Sequence, residues 1–185
     1  MSYRMMFTSG VWKTNKAFNL KEYCLSVQRK DEGRVVSNRG GYQSNELNLR
    51  DPKLRPLISH IEQQTNLFAS RYYTNKFKLS HMWININPTG GFNKSHTHAG
   101  SMFSGVYYVT TPQDCGNLFF ERPNMETIHC YDWSYDKTEY NSLNSPSWWM
   151  PSEEHTCYIF PAYMRHYTDP NRSESDRISI SFNLE

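Results

Sequence analysis

The sequence has few features typical of membrane proteins, secreted proteins or zinc-knuckle proteins. No apolar run approaches the roughly 18 residues that a membrane-spanning helix needs. The first residues lack the apolar core of a signal peptide, so a cytoplasmic protein is expected. The four cysteines form no CxxC pair that would indicate a zinc knuckle or a dithiol redox motif, and free, mostly buried thiols are predicted. They are Cys24, Cys115, Cys130 and Cys157.

An excess of charge of either sign is also missing. The chain has 20 basic and 18 acidic residues, a formal net charge of +2, and no basic block. Electrostatic binding to nucleic acid or to an anionic membrane is therefore not indicated. Hydrophobic residues make up 37% of the chain and aromatic residues 15%, which favours a β-rich domain with a lined cavity over a leucine-packed bundle.

Two helices are predicted in the first half of the chain. Over residues 19–30, apolar side chains recur at helical spacing, and Asn19 and Glu22 are placed as an N-cap and its reciprocal partner. A second helix is predicted within 52–69, although two prolines blur its start. The glycine- and asparagine-rich residues 37–49 predict a loop or an irregular edge strand.

From residue 77 onward the pattern changes to short extended runs separated by turns. The last run, RISISFNLE, alternates most clearly, with Arg177 and Ser179 on a polar face and Ile178 and Ile180 on an apolar one. The apolar face is predicted to be core, and the polar face to point to water or into a polar cavity. Two helices followed by many short strands predict helices laid against an antiparallel double-sheet or jelly-roll barrel.

Residues 122–154 interrupt the strand pattern and contain three of the five tryptophans. So long an irregular segment is typical of a functional lid or an ordered excursion. Trp133, Trp148 and Trp149 are therefore candidates for a substrate-facing lid, with packing onto the barrel as the alternative. The predicted organisation is a single domain at 1–185. It has a helical support at about 15–70 and a β core at about 77–185, which contains this aromatic insertion at about 122–154.

The residue pair His96 and His98 follows a strand and a glycine turn. In an extended segment both imidazoles project to the same side and can present two nitrogens to one metal; a solvated loop is the alternative. His166 follows a later strand, and Arg177 lies on the polar face of the last one. If Arg177 points inward, its planar guanidinium and the hydroxyl of Ser179 suit a carboxylate-bearing cosubstrate, and a surface arginine is the alternative.

The order of these features resembles the Fe(II)- and 2-oxoglutarate-dependent oxygenases, specifically a bacterial and phage-type family marked by a W-x-N strand, a histidine pair and SGVYY. The resemblance extends over nearly the whole chain. It implies a double-stranded β-helix fold with the metal and cosubstrate at its open mouth, and a host-cytoplasmic location if the chain is phage-encoded. The matching segments are MFTSGVW, SNRGGYQSNEL, WININPTGGFNKSHTHAGSMFSGVYYVTTP, CGNLFFERP and IFPAYMRHYTDPNRSESDRISISFN.

The resemblance also implies roles for individual residues. His96 is the first metal ligand and His166 the distal one. Arg177, assisted by Ser179, binds the far carboxylate of 2-oxoglutarate. Tyr108 supports this carboxylate, and Asn85 is a candidate for contact with the near end of the cosubstrate.

One departure from the family pattern concerns the middle ligand. The usual set is two histidines and one carboxylate, in the order HxD or HxE followed by His, whereas this chain has His98 at the acidic position. Three imidazoles carry no negative charge, a set that Zn(II) also accepts readily. Either His98 replaces the carboxylate, or an acid from elsewhere completes the set, with Glu121 the first candidate and Asp169 the second. The predicted catalytic and metal-binding residues are His96, His98 and His166.

The predicted function is an oxygenase that uses Fe(II), 2-oxoglutarate and O2 and couples decarboxylation to C–H hydroxylation. The primary substrate, whether a protein side chain, a nucleotide or a metabolite, and the oligomeric state, a homodimer included, stay open. One alternative is a three-histidine metal dioxygenase that does not use 2-oxoglutarate, and another is a non-catalytic jelly-roll binding or structural module. The histidines expected to be structural or exposed are His60, His81, His129 and His155.

Overall fold

Two helices and eleven strands form the described part of the chain, residues 9–123 and 138–185 of a computed structural model. The helices are α1 (Lys21–Gln28) and α2 (Arg55–Ala69). The strands are β1 (Trp12–Asn15), β2 (Asn38–Arg39), β3 (Tyr42–Gln43), β4 (Leu79–Asn87), β5 (Phe92–Asn93), β6 (Phe103–Thr110), β7 (Leu118–Glu121), β8 (Ser147–Met150), β9 (Thr156–Pro161), β10 (His166–Thr168) and β11 (Arg177–Leu184).

The strands form one large sheet and two small ones, and every pairing is antiparallel. The large sheet has the order β1-β9-β6-β11-β4-β3, the second β10-β7-β8, and β2 pairs with β5. A second apolar cluster joins the large sheet to β7, through contacts that include Tyr108, Phe160 and Phe120. The predicted double-sheet architecture is therefore present, and the space between the sheets is bounded by the large sheet on one side and by the β10-β7-β8 sheet on the other.

The large sheet has one face against the helices and one toward the second sheet. Ile178, Ile180 and Phe182 of β11 share the main core with Leu57 and Ile61 of α2. The alternate residues of the same strand, among them Arg177 and Ser179, line a cavity instead. The polar face of the last strand therefore points into a polar cavity, which settles the alternative that the sequence left open.

The helices form where the sequence predicts them, but α1 begins differently. Leu20 is its N-cap residue, and no side chain caps the helix. The predicted capping pair of Asn19 and Glu22 is therefore wrong, because Asn19 lies one residue before the cap position. Helix α2 accepts Pro56 in its first turn, where the missing backbone N–H has no helical acceptor to lose.

The irregular segment contains one strand that the sequence did not predict. Ser147–Met150 pairs with β7 at the edge of the second sheet, so the description of 122–154 as irregular is wrong there. Trp148 and Trp149 lie in this strand with ring centroids 4.5 Å apart. Trp133 lies outside the described residues.

The remaining cysteine and membrane expectations concern the described residues only. Cys24, Cys115 and Cys157 are buried free thiols, as predicted, whereas Cys130 lies outside the described residues. Burial raises the pKa of the Cys24 thiol to about 12. Neither helix is long and apolar enough to cross a bilayer.

Candidate active site

The backbone holds the three predicted metal-binding histidines together. His96 and His98 lie in the loop after β5, and His166 begins β10. The amide of His96 donates to the carbonyl of His166 and the amide of His166 to that of His96, both at 3.0 Å, while the amide of His98 donates to the carbonyl of Ala162 at 3.1 Å. One nitrogen from each imidazole lies within 4.8 Å of the others, so the three can hold a metal ion.

Hydrogen bonds fix the tautomers of two of these rings. His96 Nδ1 lies 2.6 Å from the carbonyl oxygen of Lys94, and His166 Nδ1 lies 2.9 Å from that of Met164. A carbonyl only accepts, so each Nδ1 carries the proton and each Nε2 keeps a free lone pair. His98 Nε2 is 3.3 Å from His166 Nε2. The ring nitrogens of the three histidines thus converge, which fits a divalent metal with imidazole ligands.

Burial keeps all three imidazoles neutral at pH 7. Desolvation, reinforced by the neighbouring His96, lowers the pKa of His98 to about 4 and that of His166 to about 3. Desolvation also lowers the pKa of His96. Because only a neutral imidazole can donate its lone pair to a metal, the rings are ready to bind without releasing protons.

Neither candidate carboxylate lies with the histidines. Phe120 of β7 stands opposite His166 in the sheet, so its neighbour Glu121 faces the other side of the strand. The carboxylate of Glu121 lies 3.8 Å from Arg165 Nε. Asp169 lines a different cleft, beside Cys115. Within residues 9–123 and 138–185, the candidate metal cluster contains histidines alone.

Arg177 is a buried cation in the same cavity as the histidines, with only 1% of its surface exposed. Its Nη1 donates to the carbonyls of Cys115 and Asp169, and its Nη2 donates to Thr168 Oγ1 at 3.0 Å. No carboxylate accepts from it in the described part of the chain. A buried charge without a counter-ion is costly, so the site suits an anionic ligand.

The other three predicted cosubstrate residues form a row across the large sheet. Ser179 of β11 lies opposite Asn85 on one side and Tyr108 on the other, and all three line the cavity. The hydroxyl of Tyr108 is buried without a hydrogen-bond partner among the described residues, as is Asn87 Nδ2. Both can pair with a polar ligand, and a buried polar group that is left without any partner generally costs about 1–3 kcal/mol.

A family model with the description "Putative 2OG-Fe(II) oxygenase" matches residues 81–183, more than half of the chain. The chain belongs to the 2OG-Fe(II) oxygenases. The match includes the three histidines and Arg177, and it confirms the predicted resemblance, the enzyme class and the use of Fe(II) and 2-oxoglutarate. No curated protein sequence matches this one.

Solved structures of similar shape confirm the predicted double-stranded β-helix fold of this oxygenase. A Pseudomonas putida prolyl-4-hydroxylase superposes with a TM-score of 0.66 at 12% identity, over 96% of this chain and 93% of that one. A Burkholderia pseudomallei oxidoreductase of the 2OG-Fe(II) oxygenase family gives 0.64 at 12%, over 95% and 85%. The epimerase SnoN, in complex with Fe3+, alpha ketoglutarate and nogalamycin RO, gives 0.67 at 14%, over 95% and 78%.

Several cavity residues of the oxygenase were not predicted. Trp83 and Asn87 share the cavity-facing side of β4 with Asn85, so the alternation of WININ carried a signal for both. Trp83 lies with its ring centroid 5.6 Å from that of His98. Thr168 also lines the cavity, but the three residues of β10 are too few to show a period.

A wider groove opens on the outer side of the histidine pair. His96 and His98 line both the inner cavity and this groove, whose volume is about 680 Å³. Trp83 lies at the boundary of the two, and Gln43 contributes a buried side-chain oxygen that has no hydrogen-bond partner among the described residues. A ligand-sized space therefore adjoins the candidate metal site from outside.

The other described histidines have structural contacts. His60 is buried in α2, with Nε2 3.4 Å from Thr14 Oγ1. His81 lies 3.1 Å from the carboxylate of Glu46, and His155 Nδ1 lies 3.2 Å from the hydroxyl of Tyr107. None of these joins the metal cluster, and His129 lies outside the described residues.

Proposed function

We propose that this oxygenase hydroxylates a C–H bond of its primary substrate. His96, His98 and His166 would hold Fe(II), and Arg177 would bind the distal carboxylate of 2-oxoglutarate. The observation that carries the proposal is the buried guanidinium of Arg177, which has no acid partner among the described residues and shares a cavity with three converging imidazoles. In a three-histidine dioxygenase that does not use 2-oxoglutarate, the buried guanidinium of Arg177 would have no anionic ligand to bind.

The donor set decides which chemistry the metal brings. Three neutral imidazoles add no negative charge, so Fe(II) would keep its full charge and Zn(II) would compete for the site. When bound together, Fe(II) and 2-oxoglutarate supply the activation of O2, in which 2-oxoglutarate is oxidised to succinate and CO2 and the second oxygen atom enters the substrate.

The protein's own residues bind, orient and exclude water. Arg177 and Ser179 would bind the distal carboxylate, with Tyr108 donating its unpaired hydroxyl, and Asn85 would lie near the other end of the cosubstrate. Apolar cavity residues such as Phe160 would limit the access of water to the metal. The Nδ1 hydrogen bonds of His96 and His166 would keep the Nε2 atoms of these two rings aimed at the ion.

Two of the structural relatives are hydroxylases, which is in keeping with the proposed hydroxylation. The Pseudomonas putida relative is a prolyl-4-hydroxylase, and a viral collagen prolyl hydroxylase superposes with a TM-score of 0.55 over 94% of each chain. The epimerase SnoN and the carbocyclase SnoK are each longer than this chain, which covers 78% and 79% of them. The primary substrate would enter through the groove beside Trp83.

Anaerobic titration tests the proposal. We expect the protein to bind Fe(II), and 2-oxoglutarate to produce a metal-to-ligand charge-transfer band in the loaded protein. The variant His166→Ala should lose most of its metal, whereas His81→Ala, a histidine outside the cluster, should retain it. Equal metal content in wild type and His166→Ala would contradict the assigned site. Metal binding without any 2-oxoglutarate band or affinity would favour the three-histidine dioxygenase instead.

A further inference from the structure

We propose that Thr168 is a direct hydrogen-bond donor to the distal carboxylate of the cosubstrate. The three residues of β10 are too few for the sequence to indicate this role. The proposal rests on the proposed function, because it assumes that 2-oxoglutarate occupies the inner cavity. It derives from the hydrogen bonds around one oxygen atom, Thr168 Oγ1.

Both acceptor positions of this oxygen are already occupied. Thr168 Oγ1 accepts from the backbone N–H of Asn93 at 2.9 Å and from Nη2 of Arg177 at 3.0 Å. A hydroxyl oxygen has two lone pairs and one hydrogen, and neither a backbone amide nor a guanidinium can accept that hydrogen. The hydroxyl of Thr168 must therefore donate elsewhere, and it has no acceptor among the described residues.

The position of Thr168 in β10 directs its side chain into the cavity. It lies two residues after His166, so both side chains project to the same face of the strand. Tyr167, between them, faces the other side and stacks on Phe119 with ring centroids 5.1 Å apart. Thr168, His166 and Arg177 all line the inner cavity.

The guanidinium and the hydroxyl together form a matched set of donors. Arg177 uses two N–H groups of Nη1 and one of Nη2 on protein oxygens, which leaves one N–H on Nη2 and one on Nε. A carboxylate offers about four acceptor sites and can take these N–H groups together with the hydroxyl of Thr168. Thr168 therefore has two tasks, which are to hold Arg177 in place and to donate beside it.

Binding measurements on Mn(II)-loaded protein test the direct contact, with 2-oxoglutarate and oxalate as probes. Oxalate keeps a metal-chelating end and has no distal carboxylate. We expect Thr168→Val to weaken 2-oxoglutarate binding about 10- to 100-fold, the effect of losing a hydrogen bond to a charged group. The same variant should change the oxalate affinity less than about threefold, and Thr168→Ser should retain the wild-type affinity for both probes within the same margin.

Three results would contradict this role. Unchanged 2-oxoglutarate affinity in Thr168→Val would show that the hydroxyl is not a contact, and equal weakening for both probes would assign it a structural role alone. Failure of Thr168→Ser to preserve affinity would exclude the hydroxyl as the operative group. Failure of the wild-type protein to bind 2-oxoglutarate at all would instead contradict the proposed function from which this role follows.

A double-mutant comparison separates donation from positioning. Arg177→Lys keeps the positive charge but loses the Nη2 contact with Thr168. In that background we expect Thr168→Val still to weaken 2-oxoglutarate binding, by about fivefold or more. If the effect of Thr168→Val disappears, Thr168 acts only through Arg177, and the direct contact is wrong.

Discussion

Individual histidines of the site are tuned by their surroundings more than by their sequence neighbours. His96 and His166 each use Nδ1 to bind a carbonyl two residues earlier, so a local backbone turn sets the tautomer. His98 lies between the ring of Trp83 and that of His166, with centroids 5.6 and 5.1 Å away. The sequence could predict which histidines meet, because their spacing and order are visible in it, but not the burial that keeps them neutral.

The neutrality of these rings makes the metal-free protein sensitive to acid. Unfolded histidines titrate near pH 6.5, whereas in the folded protein the pKa of His98 is lowered to about 4. Between these values the unfolded chain binds more protons than the folded one, so the free energy of unfolding falls as the pH falls from about 6.5 toward 4. At pH 5, His98 alone should account for about 2 kcal/mol of that loss.

Urea unfolding of the metal-free protein at pH 7.5 and pH 5 measures this loss. The variant His98→Gln should lose about 2 kcal/mol less between the two pH values than wild type. A second pH interval supplies the control: between pH 7.5 and pH 8.5, above both pKa values of His98, the difference in stability between wild type and His98→Gln should stay constant. An identical pH dependence in wild type and His98→Gln would show that His98 is not held neutral in the folded protein.

Two adjacent tyrosines should respond oppositely to loss of their hydroxyls. The hydroxyl of Tyr108 is buried and unpaired among the described residues, so Tyr108→Phe should leave the stability of the ligand-free protein unchanged or raise it by about 1 kcal/mol. The hydroxyl of Tyr107 accepts from the amide of Phe18 at 3.0 Å and donates to the carbonyl of Lys16 at 3.1 Å, so Tyr107→Phe should cost about 1–3 kcal/mol.

Ligand affinity should show the reverse order. Tyr108→Phe should weaken 2-oxoglutarate binding by about tenfold, since it removes a donor from the proposed carboxylate site, whereas Tyr107→Phe should leave the affinity unchanged. Thermal unfolding and titration calorimetry on the same two variants measure both effects. A Tyr108→Phe protein with reduced stability and normal affinity would assign that hydroxyl to the fold.

Among the elements, the long strands were predictable and the short ones were not. β11 alternates over eight residues, so its core face and its cavity face could both be read from the sequence. β10 has three residues and β8 contains two consecutive tryptophans, and neither offers a period of two. Their pairing with β7 is decided by tertiary contacts, which is why Thr168 could not be found from the sequence.

The central strand β6 depends on a glycine for its close packing. A Cβ added at Gly105 would overlap the ring of Phe182 and the backbone carbonyl of Tyr158. Phe182 of β11 pairs directly with Gly105, and Tyr158 of β9 lies next to Ile159, the residue that pairs with Gly105 on the other side. Because the carbonyl cannot move without disturbing the sheet, Gly105→Ala should destabilise the protein by about 3 kcal/mol or more.

Chemical denaturation of Gly105→Ala beside Gly10→Ala measures this cost. A Cβ at Gly10 would only reach ordinary contact with Phe68, at 3.4 Å, and its backbone needs no positive φ. Gly10→Ala should therefore change stability by less than about 1 kcal/mol. If both variants unfold at the same denaturant concentration as wild type, close packing at Gly105 is not what limits this strand.

At the scale of the whole molecule, the fold brings together site residues from distant parts of the chain. The loop with His96 and His98 meets β10 through the paired amides of His96 and His166, while Arg177 enters from the large sheet. The jelly-roll prediction implied that such segments would meet, but the separation of an inner cavity from an outer groove depends on tertiary packing that the sequence does not reveal. A ligand that binds both sheets should therefore stabilise the entire domain.

Thermal unfolding tests this coupling. Mn(II) should raise the unfolding temperature, and 2-oxoglutarate should raise it further only when the metal is present. Both ligands bind the site of the folded protein, and the unfolded chain has no such site. At a ligand concentration 100 times the dissociation constant, the gain should be about 2.7 kcal/mol. His166→Ala should lose both increments and His81→Ala should keep them. Equal stabilisation of His166→Ala by metal and cosubstrate would mean that they bind elsewhere on the molecule.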